Sequence, residues 1–184
     1  MSRIGKQPIP IPSGVTVTVL PGSINAKGPK GELKQSLHSC VQVAKNDEVL
    51  ALTVSRPDNK EERAIWGTSA SLIKNILQGV TQGYQKKLEI MGTGFKVVLQ
   101  GQSLSFLVGF TKAVDFPLPP GISAVIEKNI VTLSGIDKQL LGETAAQIKR
   151  IHPPDAYKGV GIRFVGEVIK LKPGKQAKSA GAAA

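Results

Sequence analysis

Cysteine, histidine and aromatic side chains are all scarce in this chain of 184 residues, and each scarcity removes a class of chemistry. The single Cys40 has no second thiol, so no internal disulfide can form. With only His38 and His152 beside it, thiolate and imidazole cannot supply the ligands of a zinc site. His38 and Cys40 fall in a segment of strand-like composition, where both would share one face as bystanders. Two histidines are also thin material for a Ser–His or Cys–His nucleophile. Aromatic residues make up 4%, too few for base stacking to be the main mode of any nucleic-acid binding. No apolar run approaches the ~20 residues of a membrane-spanning helix. The charged start Ser2-Arg3-Ile4-Gly5-Lys6 leads into an interleaved Pro-Ile run, which is not a secretory signal. Acid is the last deficit: 13 Asp and Glu face 24 Lys and Arg, a net charge of +11 that favours a polyanionic partner.

Motifs for catalysis are absent as well. Glu61-Glu62 are paired carboxylates, but they sit where a helix begins, and acids belong in a first turn for dipole reasons. Gly92-Thr93-Gly94 and Gly159-Val160-Gly161 each lack the third glycine of a dinucleotide fingerprint, and no Walker sequence is present. Lys158-Gly159-Val160-Gly161-Ile162-Arg163-Phe164-Val165 has the basic and glycine positions of an RNA recognition motif, with Val160 and Ile162 where stacking rings belong. His152, between a helix and two prolines, reads as a C-terminal capping or anion-facing side chain rather than a base. The expectation is a protein with no enzymatic activity, cofactor, metal or small-molecule substrate.

The chain repeats itself. Residues 66–76 align with 141–151 at a constant offset of 75, with Gly, Ala, Ile, Lys and Ile coinciding, and Thr53-Val54-Ser55 upstream matches Thr132-Leu133-Ser134. In the first copy Ile65, Leu72, Ile73, Ile76, Leu77 and Val80 recur at helical spacing after Asp58-Asn59. In the second, Leu140, Leu141, Ala145, Ile148 and Ile151 do the same after Asp137, and Pro153-Pro154 ends the helix at Lys149 and Arg150. Alternating apolar segments such as Val15, Val17 and Val19, separated by Pro/Gly turns, predict short strands. The fold class expected is α+β: two duplicated domains, each an antiparallel sheet packed against one main helix. The predicted boundaries are 1–82, 83–172 and a flexible basic tail, 173–184.

Division at that boundary shows where the charge lies. Residues 1–81 carry 10 basic and 6 acidic side chains, residues 82–184 carry 14 and 7, and residues 149–184 alone hold 8 and 2. Isolated lysines such as Lys45, Lys60 and Lys128 read as solvated surface charge. Eight cations in the last stretch, punctuated by glycine and proline, repel one another unless a polyanion neutralises them. Phosphate and shape recognition of folded, double-helical RNA fits best. The alternative is a basic module for an acidic protein, with RNA binding incidental.

Pro153-Pro154-Asp155-Ala156-Tyr157-Lys158-Gly159-Val160-Gly161-Ile162-Arg163 resembles the signature of the bacterial-type large-subunit ribosomal protein L6 family. Ser2-Arg3-Ile4-Gly5-Lys6-Gln7-Pro8-Ile9, Lys27-Gly28-Pro29-Lys30-Gly31 and Ser134-Gly135-Ile136-Asp137-Lys138 resemble it too, in order and over nearly the whole chain. The resemblance implies a structural constituent of the large ribosomal subunit that binds 23S-type rRNA near the stalk base and factor-binding region, among neighbouring ribosomal proteins. It implies cytoplasmic ribosomes and leaves a plastid or other organelle ribosome open. Carried onto this sequence, the rRNA-binding residues are Tyr157, Lys158, Gly159, Gly161 and Arg163, with Lys149 and Arg150 beside them, Lys170, Lys172, Lys175 and Lys178 beyond, and Lys96 as an addition. Val160 stands where the family usually has lysine, and Ala156 where it often has proline.

Overall fold

Asn59 has extended backbone (φ −66°, ψ 129°), and its Oδ1 accepts the Glu61 N–H at 3.0 Å, which satisfies one of the orphan donors that open a helix. From there α1 runs over Lys60–Thr81. Asp137 does the same for α2 (Lys138–Ile151): its Oδ1 accepts the Gln139 N–H at 2.8 Å. Both starts agree with the sequence reading, and α2 stops before the proline pair. These are features of a computed structural model that describes residues 3–46 and 48–174.

The buried stripe of α1 is Trp66, Ser69, Ala70, Ile73, Ile76, Leu77 and Val80, steps of three and four residues. Ile65 and Leu72, expected in the core, flank this stripe and are only partly buried. Trp66 takes the inner position instead, because its indole N–H donates to the Leu52 carbonyl at 3.1 Å and leaves no buried donor unpaired. In α2 the positions 75 residues on are buried in turn: Leu141, Thr144, Ala145 and Ile148 repeat Trp66, Ser69, Ala70 and Ile73.

The strands are β1 (Ile9–Pro10), β2 (Thr16–Leu20), β3 (Ser23–Gly28), β4 (Gly31–Ser36), β5 (Val41–Asn46), β6 (Val49–Val54), β7 (Tyr84–Met91), β8 (Lys96–Gln100), β9 (Ser103–Leu107), β10 (Val114–Pro117), β11 (Ile122–Glu127), β12 (Ile130–Gly135) and β13 (Gly161–Phe164). They form meanders β2-β3-β4 and β8-β9-β10, and sheets ordered β5-β6-β1 and β11-β12-β7-β13. The orders match copy for copy, so the fold is two duplicated α+β domains, with β13 the strand that the first copy lacks. It pairs antiparallel with β7, Arg163 opposite Glu89 and Ile162 opposite Ile90.

His38 and Cys40 lie in the turn between β4 and β5 rather than in a strand, His38 Nδ1 3.0 Å from Cys40 Sγ. The chain packs as two units. One holds residues up to Gln85 with Ser134–Leu141, around Ile24, Leu50, Trp66 and Ile73; the other holds Lys86–Leu133 and the chain from Gly142, with Leu88, Phe106, Ile148 and Ile162 buried. Each such aliphatic or aromatic side chain contributes roughly 1.5 to 3 kcal/mol by leaving water.

Candidate nucleic-acid interface

Past α2 the chain turns at Pro153-Pro154 and returns as β13, and the connecting loop is organised by an acid. The Asp155 N–H donates to the Val160 carbonyl at 2.9 Å, its own carbonyl accepts the Gly159 N–H at 2.9 Å, and its Oδ2 accepts the Lys158 N–H at 3.2 Å. A side chain that accepts from the backbone three residues on closes a local turn without help from the rest of the fold. Gly159 has φ +69° and Gly161 φ +145°, both conformations that favour glycine. A Cβ on Gly161 would also lie 2.7 Å from Pro154 Cα and 2.8 Å from the Pro153 carbonyl oxygen. The loop is therefore tight, and its last bond, Ile162 N–H to the His152 carbonyl at 2.9 Å, starts β13. Beyond β13, the Lys172 N–H donates to the Ala156 carbonyl at 2.8 Å, so the segment carrying Lys170 and Lys172 runs back along the same loop.

The cations expected at this loop divide into two sets. Lys149 Nζ is 2.5 Å from Glu167 Oε1 and 5.1 Å from the centroid of the Phe164 ring, which Lys86 also approaches at 5.6 Å. Arg163 places Nη2 at 2.9 Å and Nε at 3.0 Å from Glu89 Oε2, across the β7–β13 register. Both side chains are half-buried. Arg150, Lys158, Lys170 and Lys172 are exposed, with no side-chain partner among the described residues. Lys96, at the start of β8, is exposed too. Tyr157 is 59% exposed, so it does not pack beneath the loop. Lys175, Lys178 and nearly all of the expected tail lie outside the described residues.

Glu167 also accepts the Phe164 N–H at 3.0 Å. The Lys149 hydrogen bond, then this backbone donor, hold its carboxyl below the ordinary glutamate value near 4.5. A depressed acid pKa gives stability that is present above the unfolded value and lost as pH falls through the folded one. Thermal melts from pH 6 to 3 should therefore show Glu167→Gln less stable than the parent near neutrality, by about 1 kcal/mol or less for so open a pair. The difference should shrink below pH ~4.5 as the parent's carboxylate protonates.

His152 corrects one expectation. Its ring caps no helix carbonyls; it stands edge-on to Phe95, centroids 5.2 Å apart, and tilted against Phe110 at 5.9 Å. Val160, in the place of the family's lysine, is half-buried and contributes its carbonyl to the turn. Three residues of the arrangement escaped the sequence reading: Asp155 as its hub, and Glu89 and Glu167 as the acids that occupy Arg163 and Lys149. The signal for Asp155 was present, an Asp three residues before a Lys-Gly pair. Glu89 becomes a partner only through a pairing between residues 74 apart.

Among the described residues no cluster could hold a metal ion, and no helix is long and apolar enough to cross a membrane. The arrangement presents four exposed cations, Arg150 at the end of α2, Lys158 on the turn, and Lys170 and Lys172 past β13.

Comparison with known proteins gives the family. Residues 11–83 and 91–165 match, one after the other, the family described as ribosomal protein L6. The chain is 46% identical over 179 residues to the large ribosomal subunit protein uL6 of Maridesulfovibrio salexigens, covering 97% of this chain and 100% of that protein. It is 43% identical over 177 residues to that of Phenylobacterium zucineum, covering 96% and 99%. For Gloeothece citriformis the identity is 43% over 179 residues, covering 97% and 99%.

Proposed function

This chain belongs to the ribosomal protein L6 family, and from that premise we propose that its Asp155-organised loop docks Arg150, Lys158, Lys170 and Lys172 onto backbone phosphates of folded large-subunit rRNA. The protein is a structural constituent of the large ribosomal subunit and not an enzyme. The observation that carries the finer reading is the division of the cations: acids of the same fold hold Lys149 and Arg163, while Arg150 is exposed at the end of α2, Lys158 on the loop, and Lys170 and Lys172 on the segment bonded to it. Lys149 and Arg163 then act chiefly as framework, and Lys175 and Lys178, outside the described residues, add positive charge to the same end of the chain. In this reading residues 83–172 form the main RNA-binding domain, and the protein stabilises the rRNA near the stalk base and factor-binding region beside neighbouring ribosomal proteins.

Phosphates suit these groups because a lysine or arginine that neutralises one releases condensed counterions, and the binding carries little sequence information. Gly161 is buried against Pro153-Pro154 and serves the fold, whereas the partly exposed Gly159 has no side chain to keep RNA from the main chain beside Lys158. Ribonuclease digestion of an extract containing the full chain tests this reading. Loss of all co-purifying ribosomal material is the expected result; an acidic protein still bound after complete rRNA digestion would contradict it.

A further inference from the structure

Phe110 is 48% exposed, on a loop (residues 109–113) whose every residue is exposed, in a chain with few aromatic residues to spare. It is not a stray apolar side chain, because two further rings back it. The His152 ring lies 5.9 Å away, and Phe95 meets the same imidazole edge-on at 5.2 Å. Phe95 is itself fixed: a Cβ on Gly92 would come within 2.6 Å of its ring, and one on Gly109 within 3.5 Å. Three loops thus converge on one stack, those at 92–95, at 109–113 and at 152–160. The half-buried imidazole packs against both phenyl rings and so ties the three loops together.

Charge decides what such a ledge would take. Lys96 follows Phe95 directly and Lys112 follows Phe110 by two residues, both exposed, and the loop that begins at His152 carries Lys158. Asp115 and Asp155 are the acids on these segments, and Asp155 Oδ2 is already engaged by the Lys158 N–H. Exposed lysines on the same segments as the aromatic ledge suit a nucleotide: the ring takes the base, and the cations take neighbouring phosphates. We propose that Phe110 is the stacking platform for one unpaired base of large-subunit rRNA, extruded from its helix where the loop 152–160 meets the backbone. The proposal rests on the phosphate-docking reading above and adds to it the one place where this chain grips a base.

Stacking and phosphate contact separate in a salt titration. A stacked base is worth about a five- to 150-fold change in affinity on alanine substitution, and it releases no counterion. Full-length Phe110→Ala and Phe110→Leu should therefore bind transcribed large-subunit rRNA at least about fivefold more weakly with an unchanged salt slope. Phe110→Trp should bind as the parent does, with the emission of its new indole quenched on RNA addition, whereas Trp66 is buried and serves as the internal reference. Leucine is apolar and of similar size, so it asks whether the π-face matters. Parental affinity for Phe110→Leu, a slope that falls with Phe110→Ala, or emission from Phe110→Trp that RNA leaves unquenched would each overturn the proposal. Lys158→Ala in the same titration reads the phosphate reading itself: if its slope falls while Phe110→Ala changes nothing, only the platform is lost.

Discussion

Replacing Arg150, Lys158, Lys170 and Lys172 together by alanine should flatten the salt dependence of rRNA binding by roughly 3 in a log–log plot and lower affinity about a thousandfold at 0.1 M salt. The size follows from counting: each neutralised phosphate contributes about 0.7 to 0.9 to the slope, and the effect on affinity at 0.1 M is about one decade for each unit of slope. The fold should survive, because none of the four side chains is buried or paired among the described residues. The Lys158 and Lys172 bonds that shape the loop come from their backbone N–H groups, which alanine keeps. A parental melting temperature beside a flattened slope is the signature to look for. Filter binding of the full chain across a salt series, with circular dichroism as the fold control, measures both.

Gly161→Ala should cost about 3 kcal/mol of stability or more. Two penalties coincide there. At φ +145° an L-residue is strained whatever the space, and the new Cβ would meet Pro154 Cα, Pro154 N and the Pro153 carbonyl oxygen at 2.7 to 2.8 Å. Those are main-chain atoms of a proline pair and cannot swing aside as a side-chain tip would. Gly159→Ala is the matched control. Its φ of +69° carries the left-handed penalty of about 1 to 2 kcal/mol, but the Cβ would find only Leu171 at 3.5 Å, an ordinary contact. Urea melts should rank Gly161→Ala well below Gly159→Ala. Equal midpoints would mean that the loop is not held as tightly as its hydrogen bonds indicate.

The parts of this structure that rest on local sequence were legible, and those that rest on pairing between distant residues were not. Asn59 and Asp137 announce their helices because a cap bonds two residues ahead, within reach of a short window. The clustering of Lys158, Lys170 and Lys172 is likewise visible in the bare sequence. Which cations are free is another matter. Arg163 looks as available as Lys158 until β13 pairs with β7 and sets Glu89 opposite, and Lys149 looks free until the chain returns with Glu167. The capping role expected of His152 failed for the same reason: a helix end suggested the helix carbonyls, while Phe95 and Phe110 arrive from loops far away in sequence. Trp66 displaced Ile65 from the inner stripe because a long-range acceptor, the Leu52 carbonyl, was waiting for its N–H.

The division of cations into framework and contact is the centre of the account, and one paired titration tests it. Lys158→Ala and Arg163→Ala are each titrated against large-subunit rRNA over the same salt series. Lys158→Ala should flatten the slope by about 0.7 to 0.9 with no loss of melting temperature. Arg163→Ala should keep the parental slope and melt earlier, because it strands the half-buried Glu89. An Arg163→Ala slope that falls as far as that of Lys158→Ala, or a Lys158→Ala slope that does not fall, would contradict it.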